Sequence, residues 1–407
     1  MNSNNIDFSQ RNFAIDILRA LTMLLMIFVN DLWTISGEPE WLGHALYDQD
    51  MLGLADIVFP CFLFVVGMSI PYAIERRFSK GLSGVSTVAH ILTRTLALLI
   101  MGVFIVNTEY GVSSETGMNI DIYRILMVTA FLLIWNVYPR TDKKQRQFLY
   151  SILKIAGLAI LIYLAVIFRD DEGGIFKSRW WGILGLIGWT YLLCAFIYLF
   201  ARNRLKYLIP AWLILVVWCV LTSPMINGVA LLNLPKGNFL NEMLNIIHIG
   251  NGALPAFTMG GLLLSLISAR YRNIPNMRNL LGAIAFVAFF VLAGFVSHQF
   301  WIISKPQGTP SWVFYCIAIA IASYTFIYWL TEKGKAPWFN IIKPAGTATL
   351  TCYLIPYILY SLFSLTNLRL PDILVEYPLG ILKCIAFSFI TIGITALLNR
   401  IGIKLKI

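Results

Sequence analysis

Apolar residues in this chain fall into runs of about 18 to 22, separated by short polar stretches, along nearly all of its 407 residues. A helix rises about 1.5 Å per residue, so each run can cross roughly 30 Å of hydrocarbon with its backbone hydrogen bonds closed inside the segment. Hydrophobic residues make up 58% of the chain and charged ones 13%. The pattern predicts an all-α polytopic membrane protein of about 12 transmembrane helices (10 to 12). The spans are read near residues 13 to 31, 51 to 74, 88 to 107, 121 to 138, 150 to 168, 181 to 200, 207 to 223, 250 to 268, 279 to 297, 311 to 331, 345 to 366 and 379 to 399. The longest loop, about residues 223 to 250, is too short to sustain its own core, so residues 1–407 read as a single membrane domain. Residues 1 to 12 are polar and the first apolar run is long enough to stay in the membrane, which predicts a retained span instead of a cleaved signal peptide.

Orientation follows from Lys and Arg, which are enriched in short cytoplasmic loops. Arg11, Arg76, Arg77, Lys80, the 140–146 and 202–206 groups, Arg270, Arg272, Arg278, Lys333, Lys335, Lys343, Arg400, Lys404 and Lys406 put twenty basic residues on one side. The other side holds six: Arg169, Lys177, Arg179, Lys236, Lys305 and Arg369. Both termini are therefore expected in the cytoplasm, with the loop carrying His44 facing outward. The net charge of +11 follows from this bias and is dispersed over many loops, which argues against a nucleic-acid partner. Cys61, Cys194, Cys219, Cys316, Cys352 and Cys384 all lie in apolar runs, and no metal motif or disulfide framework follows from them.

Polar residues inside spans are expensive and mark function by default. Asp16 and Arg19 stand three apart on one helix face and are expected to pair. Arg94 and Arg124 lie within apolar helices, where an arginine either pairs across helices or faces a polar cavity that receives an anion. Of the four histidines, His90, His248 and His298 read as interfacial or capping residues. His44 differs in its company, with Asn30 at the outer end of the first span before it and Asp56 inside the second span after it. The loop between them folds back, so the three can converge. Counted from Met51, Asp56 would lie about 7 Å below the helix start. Imidazole titrates near neutrality, a carboxylate behind it fixes tautomer and orientation, and a carboxamide can donate to an oxyanion. By spacing alone the trio is equally a structural cluster.

The segments Arg11 to Ala20, Met26-Ile-Phe-Val-Asn30, His44-Ala45 and Ala55-Asp56-Ile-Val-Phe-Pro60 through Gly67-Met-Ser69 resemble the heparan-α-glucosaminide N-acetyltransferase family and its bacterial relatives. That family's pattern is similar to S-x-D-x-x-R-G, M-x-x-V-N, a loop His-Ala, then A-D-L-V-F-P-x-F-x-F-x-x-G-x-S. Weaker echoes are Tyr123-Arg124-Ile125, Asn251 through Gly261, Ser304-Lys305 with Trp312, and Gly346 through Tyr353. Departures are a slightly longer interval from His44 to Asp56, Ala20 in place of Gly, Thr347 or Ala348 in place of a late Asn, and an extra pair of spans between about residues 150 and 223.

The resemblance implies a transmembrane acetyltransferase. Acetyl-CoA would bind from the cytosol as cosubstrate, without a metal, and the acetyl group would pass to a terminal glucosamine-like amine on the other face. It implies His44 as catalyst, Asp56 as its orienter and Asn30 as an oxyanion or substrate contact. Arg94, Arg124 and Arg19 fall to the cofactor, and Lys305 and Asn251 to the substrate. A bacterial inner membrane, an amino-sugar or glycan acceptor and a homodimer are the expected setting. The readings left beside it are O-acetylation of a surface glycan and a permease for a small anionic or sugar solute, since Pro- and Gly-interrupted helices with buried charges also suit alternating access.

Overall fold

A computed structural model of the chain describes residue 8 and residues 12–233, 238–246, 250–270 and 276–407; Arg11, Lys236, His248 and Arg272 lie outside the described residues. Among the described residues fifteen α-helices follow in order. They are α1 (Phe13–Asp31), α2 (Leu54–Ser79), α3 (Gly84–Tyr110), α4 (Ser113–Thr116), α5 (Ile120–Trp135), α6 (Lys144–Ile167), α7 (Ile183–Ala201), α8 (Leu205–Thr222), α9 (Phe239–Ile246), α10 (Ala253–Arg270), α11 (Asn276–His298), α12 (Pro310–Glu332), α13 (Phe339–Thr347), α14 (Thr349–Leu365) and α15 (Leu379–Arg400). The protein is an all-α polytopic membrane protein. Ten of the described helices are long and apolar enough to cross a membrane, and α13 with α14, bent by 89° at Ala348, makes an eleventh if taken as one broken span. Each of the twelve apolar runs became a helix, but α5 has only 16 residues and rises about 24 Å.

Local sequence sets the helix starts. The Asn12 side chain accepts from the backbone N–H groups of Ala14 and Ile15, Ser83 caps α3 through Ser86, and Asn119 caps α5. These side chains supply acceptors for N–H groups that have no partner within the helix. In hydrocarbon, apolar side chains gain little by leaving lipid, so helices associate through close packing. The crossing of α2 and α10 shows this: a Cβ on Gly67 would sit 1.7 Å from the Thr258 carbonyl oxygen, and one on Gly261 would sit 1.9 Å from that of Phe64. Only glycine lets the two backbones touch. The helices α1, α2 and α10 are mostly buried within the protein, whereas α6 and α11 turn most of their surface outward.

Polar contacts gather at the two ends of the bundle. At one end Asp50 meets His298, and the Trp301 indole donates to the Ser223 carbonyl. At the other, Arg202 makes two hydrogen bonds to Glu75, Asn12 donates to Tyr324, and Lys406 N–H donates to the Trp135 carbonyl.

Candidate functional site

The site is made where α2 begins. Gly53 precedes α2, and a Cβ there would fall 2.1 Å from the Gly43 carbonyl oxygen, so the chain before α2 packs directly on the segment ending at Gly43. That contact delivers His44 to the first turn of α2. The helix starts at Leu54, three residues later than the sequence suggested, so Asp56 lies about 3 Å past its start instead of 7 Å. Asp56 is fully buried. Its Oδ1 is 2.7 Å from His44 Nδ1, its Oδ2 accepts from Ala45 N–H at 2.9 Å, and its backbone carbonyl accepts from the Trp312 indole at 3.0 Å.

Lys305, from the loop between α11 and α12, completes the group. Its Nζ stands 3.6 Å from Asp56 Oδ1 and 3.1 Å from His44 Nδ1, and donates to the Ala55 carbonyl. A buried carboxylate needs such a counter-charge. Burial holds the Lys305 ammonium below the ordinary lysine range, with Asp56 acting in the opposite sense. An ionised carboxylate only accepts, so in a neutral His44 ring the Nδ1 atom carries the proton toward Asp56 and Nε2 keeps the lone pair. The His44 side chain is 54% exposed and lines a cavity.

Loop is stitched to loop around this centre. Asp50 takes His298 Nε2 at 2.7 Å and the Ile303 N–H at 2.8 Å, while Ser304 and Gln307 both donate to the Tyr47 carbonyl. Asn251 donates to the Gly308 carbonyl at 2.8 Å and to Ser223 Oγ at 3.0 Å. The result is a cavity of about 590 Å³ whose wall includes His44, Asp56, Lys305, Gln307 and Asn251, with Phe59, Leu186, Leu254 and Trp312 as its apolar part. Polar groups are therefore few and convergent over a largely hydrophobic pocket, the usual composition of a small-molecule site.

The structure brings together His44, Asp56, Lys305 and Asn251. Asn30 is half-buried in the last turn of α1, bonds to neither His44 nor Asp56 among the described residues, and is not on the cavity wall. Arg19 pairs with Asp16 at 3.0 Å and reaches Ser69 at 2.6 Å. Arg124 binds Asp121 at 3.2 Å and the Thr108 carbonyl at 3.0 Å. Arg94 lies over the Tyr191 ring at 4.5 Å. None of these three arginines touches the cavity.

Two residues of chemical weight escaped sequence reasoning. Asp31, 1% exposed, binds Lys383 at 3.0 Å and the Tyr360 hydroxyl at 2.7 Å, and Lys383 also contacts Thr34. The one available signal was a lysine placed inside the last apolar run.

A family model described as "Domain of unknown function (DUF5009)" matches residues 11–231. Heparan-alpha-glucosaminide N-acetyltransferase of Mus musculus is 34% identical over 98 residues, and that of Homo sapiens is 33% identical over 98 residues. In each case the match covers 24% of this chain and 14% of the relative, so the likeness is a distant one confined to a small part of both.

Proposed function

The chain belongs to the DUF5009 family, and from that premise we propose that it is a membrane-embedded acetyltransferase. It moves acetyl from acetyl-CoA, taken from the cytosol, to an amine or hydroxyl of an extracytoplasmic sugar. The observation that carries this reading is the 2.7 Å bond from His44 Nδ1 to buried Asp56 on the wall of the cavity, an arrangement in which a neutral imidazole keeps its lone pair on Nε2. What supports an acetyl donor is the distant likeness to N-acetyltransferases named for a glucosaminide acceptor. The basic loops and both termini are then cytoplasmic, the His44 loop lies outside, and the setting is a bacterial inner membrane.

Acyl transfer requires a nucleophile to attack a thioester carbonyl and a donor to hold the developing oxyanion. His44 Nε2 takes the proton from the acceptor as it attacks, or itself attacks the carbonyl and passes acetyl on; in either route the thiol leaves protonated. Asp56 stabilises the imidazolium that forms and holds the ring in place. Lys305, on the same wall, is placed to donate to the oxyanion, and Trp312 and Phe59 offer apolar faces on which a sugar ring can rest.

Full-length protein in nanodiscs, given labelled acetyl-CoA and glucosamine, is expected to yield acetylated sugar. His44→Ala should lower the rate by about 10²-fold or more. Mass spectrometry of His44 after quenching separates the direct route from an acetyl-imidazole intermediate. Solute uptake by proteoliposomes with no acetyl transfer to any amine or hydroxyl acceptor would overturn the reading in favour of a permease.

A further inference from the structure

The end of the bundle opposite His44 carries a group of cations without carboxylate partners among the described residues. Arg77, in the last turn of α2, donates through Nη2 to the Ser86 carbonyl and hydroxyl, both at 3.0 Å, in the first turn of α3. Ser86, His90 and Arg94 follow at intervals of four along α3, which puts them on one helix face, rising about 12 Å from the end of the bundle into it. The C-terminal segment closes the group: Leu405 N–H donates to Thr351 and Lys406 N–H to the Trp135 carbonyl. Arg77, Arg94 and Lys406 thus stand around His90 within electrostatic reach. The Nε atoms of Arg77 and Arg94 are buried and have no hydrogen-bond acceptor among the described residues. Glu75, the neighbouring acid on α2, is occupied by Arg202 and Tyr198.

Buried guanidinium N–H groups left without acceptors, in a cluster of one sign, are a standing demand for an anion. We infer that Arg77, His90, Arg94 and Lys406 form a phosphate-binding site on the face of the bundle opposite the His44 cavity. Its ligand is a phosphate ester, carried either by a soluble nucleotide-type cosubstrate or by a phospholipid headgroup. The climb of the row into the bundle favours a ligand that enters between helices over one that stays at the surface. If the ligand is soluble, the site deepens the acetyltransferase reading by giving the donor's phosphates a place, and that part of the inference rests on that reading.

The test is binding to the full-length protein in nanodiscs of zwitterionic lipid, with coenzyme A, pantetheine and added phosphatidylglycerol as probes. Arg77→Gln with Arg94→Gln is expected to weaken one phosphate probe by about tenfold or more. Lys406→Glu, at an exposed position that does not threaten folding, should weaken the same probe severalfold and flatten its salt dependence. Loss of coenzyme A binding with pantetheine unchanged assigns a soluble ligand. Loss of phosphatidylglycerol binding alone assigns a headgroup. Unchanged binding of both probes in both variants overturns the site. His44→Ala should leave these affinities intact, and absence of acetyl transfer by the wild-type protein would refute the enzyme reading without touching this one.

Discussion

His44, Asp56 and Lys305 work as one charge-balanced unit in which each side chain has a separate cause for its position. Asp56 is held by the start of α2, His44 by the contact of Gly43 with Gly53, and Lys305 by a loop 250 residues further on. The Lys305 ammonium is held below the ordinary lysine value of 10.5 by burial. Between that lowered value and 10.5 the unfolded chain binds more protons at this position than the folded one, so the contribution to stability rises with pH across the window. It is complete above 10.5 and lost as pH falls through the folded value. In thermal unfolding in detergent, wild type should therefore gain stability relative to Lys305→Met as pH rises toward 10.5; a wild type that loses ground to the variant across that window would contradict this. The imidazole and carboxylate could be named from residue types and the short interval between them. That Asn30 stays outside their hydrogen bonds could not, because a helix end points its side chain by rotation about the axis, which loop length does not reveal.

Helix by helix, the apolar runs left little freedom, since a backbone in lipid must close its own hydrogen bonds. Boundaries moved by a few residues, and the late run bent at Ala348 into α13 and α14 instead of crossing straight. Pairing between elements was beyond the sequence. The Asp31 to Lys383 bond links α1 to α15 across 352 positions and sits where both side chains are largely shielded. Removing one partner strands a buried charge, so Lys383→Ala should destabilise by about 3–5 kcal/mol, read as loss of folded protein in detergent. Tyr360→Phe, which deletes only one hydrogen bond to Asp31, should cost about 1–2 kcal/mol.

At the scale of the whole molecule, the ends of the bundle divide the chemistry, with the His44 cavity at one and the Arg77 to Lys406 cations at the other. The proposed topology has the cavity facing outside. Cysteines introduced at Tyr47 and Lys335 in a background lacking the six native cysteines test this. A membrane-impermeant maleimide should label the first in intact cells and the second only after permeabilisation, and the reverse pattern would invert the topology.

The sequence by itself determined the solvent of this protein, the approximate limits of its apolar helices, and the identity of its imidazole and carboxylate, because hydrocarbon thickness and backbone hydrogen bonding act on each segment locally. Only the tertiary structure decided which charges meet: Lys305 with Asp56, Lys383 with Asp31, Arg77 and Lys406 around His90. Those pairings depend on the rotation and contact of helices far apart in the chain, fixed by close approaches such as Gly67 against Thr258 and Gly261 against Phe64, and no local rule of spacing carries that information.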